Sequence, residues 1–409
     1  MEHLISLLGF FVFIAIAWGL SQNRWRVNLR TVISGIVLQF VLAAVFLFPI
    51  IREWAFAGAR NCAETLNGYA MQGAEFVFGK DICESQPVFI LILPIIIFFS
   101  SLTAVLFYLG ILQWATKIGA WVMKAVLGIS GSESVCTAAN VFLGMTTAPL
   151  TIRPYLKTMT RSELMLLLTG GMATSAGGTM IAYTSFGADA GHLIVASILS
   201  APAAVVVAKI MNPETEDSPT LGRVKIDIPQ QADGVIDAAC RGASEGVRLA
   251  INIAAMLIAF VALVALLNGL LSVIGPVGGA PLTWERILGW AFYPLAWLLG
   301  VPGQDVYTVG QLLGTKTVLN EFFAYGAMQP MLPGAETVQG VHQLTPRGAA
   351  ITTYALCGFA NFGSIAVLIG GLGTLIPERQ KDLAQLGLRS MIAGTLATLM
   401  TAAMAGIFL

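Results

Sequence analysis

Stretches of about twenty apolar residues recur along almost the whole chain, and they decide what it can fold into. The hydrocarbon core of a bilayer is ~30 Å thick, which a helix of ~20 residues crosses. Only 11% of the residues are charged, against about a quarter in a soluble globule. This composition excludes an ordinary water-soluble enzyme. It predicts an all-α polytopic membrane protein, because lipid accepts only helices and closed barrels. The first apolar run, residues 4–20, follows Met1-Glu2-His3, lacks the basic start of a signal peptide, and reads as a first span. Lys+Arg and Asp+Glu each number 22, and no basic stripe with interleaved aromatics points to nucleic acid.

Eight full spans fit the pattern, at 4–20, 32–51, 87–112, 164–183, 192–211, 249–273, 348–372 and 386–408. Two interrupted stretches, 134–156 and 306–332, read as re-entrant helical hairpins, with Gly144 and Pro149 near the centre of the first. Span 4 is broken by Thr174-Ser175-Ala176-Gly177-Gly178-Thr179. Residues 52–87 read as a polar, amphipathic connection, 212–234 as a hydrophilic loop with Pro213, Pro219 and Pro229, and 284–301 as a Trp-rich amphipathic stretch. An interfacial piece follows span 3 and carries Lys117 and Lys124.

Basic residues orient these segments. With Arg24, Arg26 and Arg30 in the cytoplasm and each hairpin returning to its own side, sixteen of the 22 Lys and Arg fall on the cytoplasmic face. The positive-inside rule then puts both termini outside. Residues 134–211 and 306–408 each read as hairpin, broken span, span, and the two enter from opposite faces. Paired interruptions in inverted halves point to the midplane site of a secondary transporter.

One carboxylate stands out. Glu321 sits within 306–332, where an ionised carboxylate costs several kcal/mol and usually marks a substrate or ion path. A helix-end Glu reaching for the headgroups, or a neutral one bonded to a neighbour, is the bland alternative. A second polar stretch, Cys357-Gly358-Phe359-Ala360-Asn361-Phe362-Gly363-Ser364, interrupts another apolar run. As ordinary interhelical glue, Asn361 and Ser364 would need no ligand.

Three motifs carry a resemblance. Ala138-Ala139-Asn140-Val141-Phe142-Leu143-Gly144-Met145-Thr146-Thr147-Ala148-Pro149-Leu150, Asn320-Glu321-Phe322-Phe323-Ala324-Tyr325, and Ala355 to Ile365 together resemble a bacterial concentrative nucleoside transporter. The likeness covers nearly the whole chain. It implies a homotrimer in the lipid bilayer of the cell (inner) membrane, with inverted repeats and an elevator mechanism. It implies import of a nucleoside with Na⁺, or with H⁺ in some members, and no other cofactor. Scaffold would occupy 1–113 and 249–304, and the transport domain 114–248 and 305–409.

Carried over by position, Glu321, Asn361 and Ser364 would bind ribose, since a carboxylate accepts from hydroxyls while Asn and Ser donate and accept. Asn361 and Ser364, three apart, would share a helical face. Phe359 would reach the base only if the helix breaks, which Gly358 and Gly363 permit. For the cation, the resemblance implies the Asn140 side chain, the Thr174 hydroxyl where the family usually has Ser, and the carbonyls of Leu143 and Ser175. An all-oxygen set suits a hard cation; Asn140 as a simple cap of a broken helix is the alternative.

The chain departs from the family at Met145-Thr146-Thr147, where Gln-Thr-Glu is usual, so an amide and a carboxylate facing the base are missing. Thr179 adds a hydroxyl where a small apolar residue is common. Sugar recognition is thus expected to persist and base recognition to change, although Met145 also serves as plain filling.

His3, His192 and His342 are isolated and share no metal spacing. Cys62 and Cys83 fit a periplasmic disulfide or two free thiols equally well. A carrier of another ribosylated or sugar-like solute is the nearest alternative. An intramembrane enzyme would need paired Asp, Ser–His, Ser–Lys or metal ligands inside the spans, and none is present. A passive channel suits inverted hairpins less well than alternating access does.

Overall fold

The fold is a bundle of helices built from two copies of one inverted motif, with additional spans packed around them. It is described from a computed structural model covering residues 1–84, 88–220, 232–277, 279–336 and 338–409. The expected start of span 3 at Pro87, and Arg223, Lys225 and Pro229 of the hydrophilic loop, lie outside the described residues.

Spans 1 and 2 form α1 (Glu2–Gly19) and α2 (Leu29–Leu47), the second capped by Asn28, whose Oδ1 accepts from the amide of Arg30 at 3.0 Å. Span 2 ends at Leu47 and not at residue 51, because Pro49 opens a new helix. The expected polar connection is helical over most of its length, as α3 (Pro49–Phe78) and the short α4 (Lys80–Glu84). Phe56, Ala63 and Ala70, at seven-residue spacing, form with Ala74 the buried stripe of α3. Cys62 and Cys83 are both free.

Span 3, α5 (Val88–Tyr108), meets the amphipathic α6 (Ile111–Leu127) at a 74° bend. Repeat 1 then begins. Hairpin 1 is α7 (Gly131–Thr147) followed by a 3₁₀ return over Ala148–Thr158. Span 4 is broken into α8 (Arg161–Ala173) and α9 (Gly177–Thr184), and span 5 is α10 (Ala190–Met211). Capping boxes start both α7 and α8: Glu133 accepts from the Ser130 amide at 2.9 Å and Glu163 from the Thr160 amide at 2.8 Å. They satisfy amides that a helix start leaves without partners.

Span 6 is α11 (Val235–Ser272), which begins well before residue 249 and packs along α5. A two-residue ladder, β1 (Pro276–Val277) with β2 (Ala280–Pro281), precedes α12 (Trp284–Leu298). Repeat 2 copies repeat 1. Hairpin 2 is α13 (Val306–Val318) with α14 (Glu321–Met328). Span 7, expected to be broken like span 4, consists of α15 (Pro346–Leu356) and α16 (Phe362–Leu375), and span 8 is α17 (Gln380–Phe408).

Among the described residues, length and apolarity alone give seven membrane-crossing helices, or eight if α5 and α6 count as one span. That count includes hairpin 1 and passes over span 7, whose halves are each too short. α8, α10 and α17 pack against one another at the centre, with α1 and α2 seated on α17 and α10.

Candidate substrate and cation site

Two half-helix N-termini converge on Glu321. The residue opens α14, and Asn361 caps α16. Asn320 caps α14, its Oδ1 accepting from the Phe323 amide at 2.8 Å; Asn361 does the same for the Ser364 amide at 2.8 Å. With its oxygen used this way, Asn361 turns its Nδ2 to Glu321 Oε2 at 2.9 Å, while Tyr183 donates to Oε1 at 3.3 Å. Exposed amides at a helix start attract negative charge. Glu321 is only 4% exposed, so these donors stand in for water.

The expectation that Asn361 and Ser364 share a helical face is corrected. Asn361 is extended, with φ −144° and ψ 167°, and stands outside the helix as its cap. The break at 357–361 also frees Phe359 from helical geometry and lets it line the same cavity as Glu321, Asn361 and Ser364.

That cavity measures about 860 Å³. Met145, Thr146, Thr147 and Thr179 of repeat 1 line it, as do Asn252 and Met256 of α11. The Thr179 hydroxyl donates to the Ala176 carbonyl at 2.8 Å, so its proton is already engaged at the start of α9. Gly144 shapes the wall: its φ of 75° turns hairpin 1, and a Cβ there would stand 2.6 Å from that of Ala176. The segments that interrupt spans 4 and 7 both contribute to the cavity wall and touch each other. Cys357 Sγ lies 3.7 Å from Ser175 Oγ. Gly358, at φ 151°, approaches so closely that a Cβ would stand 2.8 Å from the Ala173 carbonyl oxygen.

Asn140 lies on α7 and is 1% exposed. Its Nδ2 approaches Cys136 Sγ at 3.9 Å, and its Oδ1 has no hydrogen-bond partner among the described residues. The amide faces the last turn of α8, where a Cβ on Gly170 would stand 3.2 Å from Nδ2. Thr174 closes that turn, donating to the Gly170 carbonyl at 2.8 Å and leaving its hydroxyl oxygen free to accept. Leu143 immediately precedes the Gly144 kink, and Ser175 is buried in the break. A buried amide oxygen without a donor, beside a hydroxyl oxygen and interrupted backbone, fits a hard monovalent cation.

The C-terminal family model for Na⁺-dependent nucleoside transporters matches residues 192–406, more than half of the chain. The N-terminal model of the same family matches 8–81, and a nucleoside-recognition gate model matches 89–190. The chain belongs to the concentrative nucleoside transporter family. An uncharacterized transporter of Haemophilus influenzae is 43% identical over 415 residues, covering 100% of this chain and 98% of the relative. Mouse sodium/nucleoside cotransporter 1 is 40% identical, covering 99% of this chain and 64% of its own length. CNTnw in an inward-facing, substrate-bound state superposes with a TM-score of 0.92 at 41% identity, covering 100% of this chain and 98% of that one. As a member of this Na⁺-dependent transporter family, the protein is a carrier and not an enzyme.

Residues of this transporter that sequence reasoning passed over complete the site. Tyr183 stacks on Tyr325 at 4.4 Å between ring centres, and Tyr325 donates to the Thr353 carbonyl at 2.7 Å. The pair joins span 4, hairpin 2 and span 7 around Glu321. Lys316 is a second ionisable residue of hairpin 2, 2% exposed. Its signal was available, since an intramembrane lysine is as costly as an intramembrane glutamate.

Proposed function

We propose that the chain is a Na⁺-coupled symporter that imports nucleosides through the cell (inner) membrane, as a homotrimer working by an elevator motion. One observation carries the reading: a buried carboxylate, held at two helix N-termini by Asn361 and Tyr183, opens onto a cavity of about 860 Å³. Glu321 takes the two ribose hydroxyls, Asn361 and Ser364 exchange hydrogen bonds with the sugar, and Phe359 packs on the base. Na⁺ rides on Asn140, Thr174 and the carbonyls of Leu143 and Ser175, beside hairpin 1. Its binding satisfies Asn140 Oδ1 and stiffens the hairpin that forms the base side of the cavity.

At the base side, Met145 and Thr147 replace an amide and a carboxylate with a thioether and a hydroxyl. The penalty for an unmet polar group, roughly 1–3 kcal/mol each, disappears together with the matching gain for uracil or cytosine edges. The transporter therefore discriminates weakly among bases or favours a less polar one that packs on Met145 and Phe359.

Both termini lie outside by the distribution of Lys and Arg. The residues lining the cavity include Glu321 and also Arg241 and Arg248, which this orientation puts near the cytoplasm. Hairpin 1 through span 5 and segment 305–409 move as the transport domain. The boundaries expected at 113/114 and 248/249 would cut the continuous helices α6 and α11 and so move to their ends, α11 staying whole with the scaffold. α5 and α11 form the scaffold face against that domain, and exposed Leu263, Leu266 and Leu270 of α11 offer apolar surface for the other protomers.

The test is uptake of uridine, cytidine and adenosine into reconstituted vesicles with Na⁺ and pH gradients imposed separately. Accumulation against the nucleoside gradient under an inward Na⁺ gradient is the expected result. Accumulation driven by pH alone removes Na⁺ from the site, and equilibration without accumulation makes the protein a channel.

A further inference from the structure

Lys316 lies on α13, and its ammonium donates to the Ala355 carbonyl at 2.8 Å and to Thr398 Oγ1 at 3.2 Å. Ala355 belongs to the last turn of α15, which stops at Leu356. Its carbonyl is among those a helix end leaves without an amide partner, at the negative end of the helix dipole. Broken-helix ends of this kind coordinate Na⁺ in secondary transporters.

The same slot exists in repeat 1. Hairpin 1 turns at Gly144, and Asn140 stands one helical turn before it, against the last turn of α8. Hairpin 2 turns at Asn320, extended at φ −166° and ψ 173°, and Lys316 stands one helical turn before it, against the last turn of α15. Thr174 is the C-cap of α8, and Cys357 is that of α15 in the matching place. One slot holds an amide with an unpartnered oxygen; the other holds an ammonium with oxygens around it.

We infer that Lys316 is a tethered cation, its ammonium standing in repeat 2 where Na⁺ stands in repeat 1. The inference rests on the reading of Asn140 as the Na⁺ site. Lys316 is a positioning residue: it ties hairpin 2 to the end of α15 and so sets Glu321 on one side of the hairpin turn against Asn361 beyond the break. Only one of the two related slots is then left for an exchangeable ion. The fixed positive charge also offsets the buried carboxylate of the same hairpin, as two buried charges of opposite sign do. A lysine of merely structural value would stabilise the apo protein and leave ligand responses alone, so the two roles separate experimentally.

The full-length protein is compared with Lys316→Met and Lys316→Asn by thermal shift, with Na⁺ replaced stepwise by choline. Uridine, cytidine and adenosine serve as probes. The parent should be stabilised by Na⁺ alone; absence of that shift overturns the Asn140 reading and this inference together, and is seen before any substitution. Both variants should keep the Na⁺ shift, which also reports that repeat 1 is folded. Lys316→Met should bind the tightest nucleoside at least tenfold more weakly at every Na⁺ concentration. Lys316→Asn recreates an oxygen-lined slot, so nucleoside affinity should recover at high Na⁺, with a steeper Na⁺ dependence than the parent. Parent affinity in Lys316→Met overturns the inference. Equal weakening of both variants with the parent's Na⁺ steepness overturns it too, since the slot then takes no Na⁺ in place of the ammonium. Should Lys316→Met fail to fold, Thr398→Val removes one acceptor and keeps the charge. It should lower nucleoside affinity severalfold with an unchanged Na⁺ shift, and unchanged affinity there counts against the tether.

Discussion

Hairpins 1 and 2 share one layout, a helix that turns beside the broken end of the following span, and fill it with different chemistry. Around the first turn stand Asn140, Thr174 and interrupted backbone: oxygens without a fixed charge. Around the second stand Lys316 and Glu321, an amine and a carboxylate on one hairpin. A slot lined by neutral oxygens exchanges its cation with water, because nothing covalent holds the charge. A slot already filled by an ammonium does not. On the function proposed above, one of these related sockets is the coupling site and the other supports the substrate carboxylate.

Breaking the second hairpin should have the largest effect. Glu321→Gln removes a charge-assisted acceptor for two hydroxyls, each bond worth ~1.5–3 kcal/mol, so nucleoside affinity should fall by about a hundredfold or more. The Na⁺-induced thermal shift should survive, because repeat 1 is untouched. A calorimetric titration showing parent affinity would remove Glu321 from the ribose site.

The first hairpin breaks in the opposite sense. Asn140→Ala should reduce apparent Na⁺ affinity by roughly ten- to a hundredfold, the loss of one ligand to a charged group at ~1.5–3 kcal/mol. Nucleoside binding at saturating Na⁺ should change far less, and Thr174→Ser should keep both. Na⁺ titration of vesicle uptake checks this, and an unaltered half-saturating concentration in Asn140→Ala would assign the cation elsewhere.

The comparison is sharpened at the base side of hairpin 1, where the smallest effect is expected. Met145→Gln with Thr147→Glu restores polar partners for a pyrimidine edge. Uridine affinity should rise about tenfold, equivalent to ~1.4 kcal/mol. Binding of uridine, cytidine, adenosine and free ribose to parent and double variant measures it. Tight, selective uridine binding by the parent, lost in the double variant, would make Met145 and Thr147 packing residues.

Much of this was legible in the chain. Hydrophobic run lengths set the spans, since the bilayer thickness admits few alternatives, and the breaks at Gly144 and 174–179 showed as glycine and hydroxyl residues inside apolar runs. Glu321 declared itself by the cost of a carboxylate in lipid. The capping boxes at Ser130–Glu133 and Thr160–Glu163 were equally readable and mark where α7 and α8 start.

Other features were settled only by tertiary contacts. The break of span 7 shows in the sequence as a polar, glycine-flanked stretch, but the close approach of Gly358 to the Ala173 carbonyl of another span does not. Asn361 became a cap, and its amide thereby a donor to Glu321, only once that break existed. Tyr183 looked like the end of a span until stacking on Tyr325 brought its hydroxyl to the carboxylate. Lys316 could be recognised as costly from the sequence, but its acceptors, Ala355 and Thr398, lie on two other helices. Local composition fixes where a helix is greasy enough to cross or weak enough to break. Which polar groups then meet is decided by helices far apart in sequence, because in lipid a polar atom must find its partner within the protein.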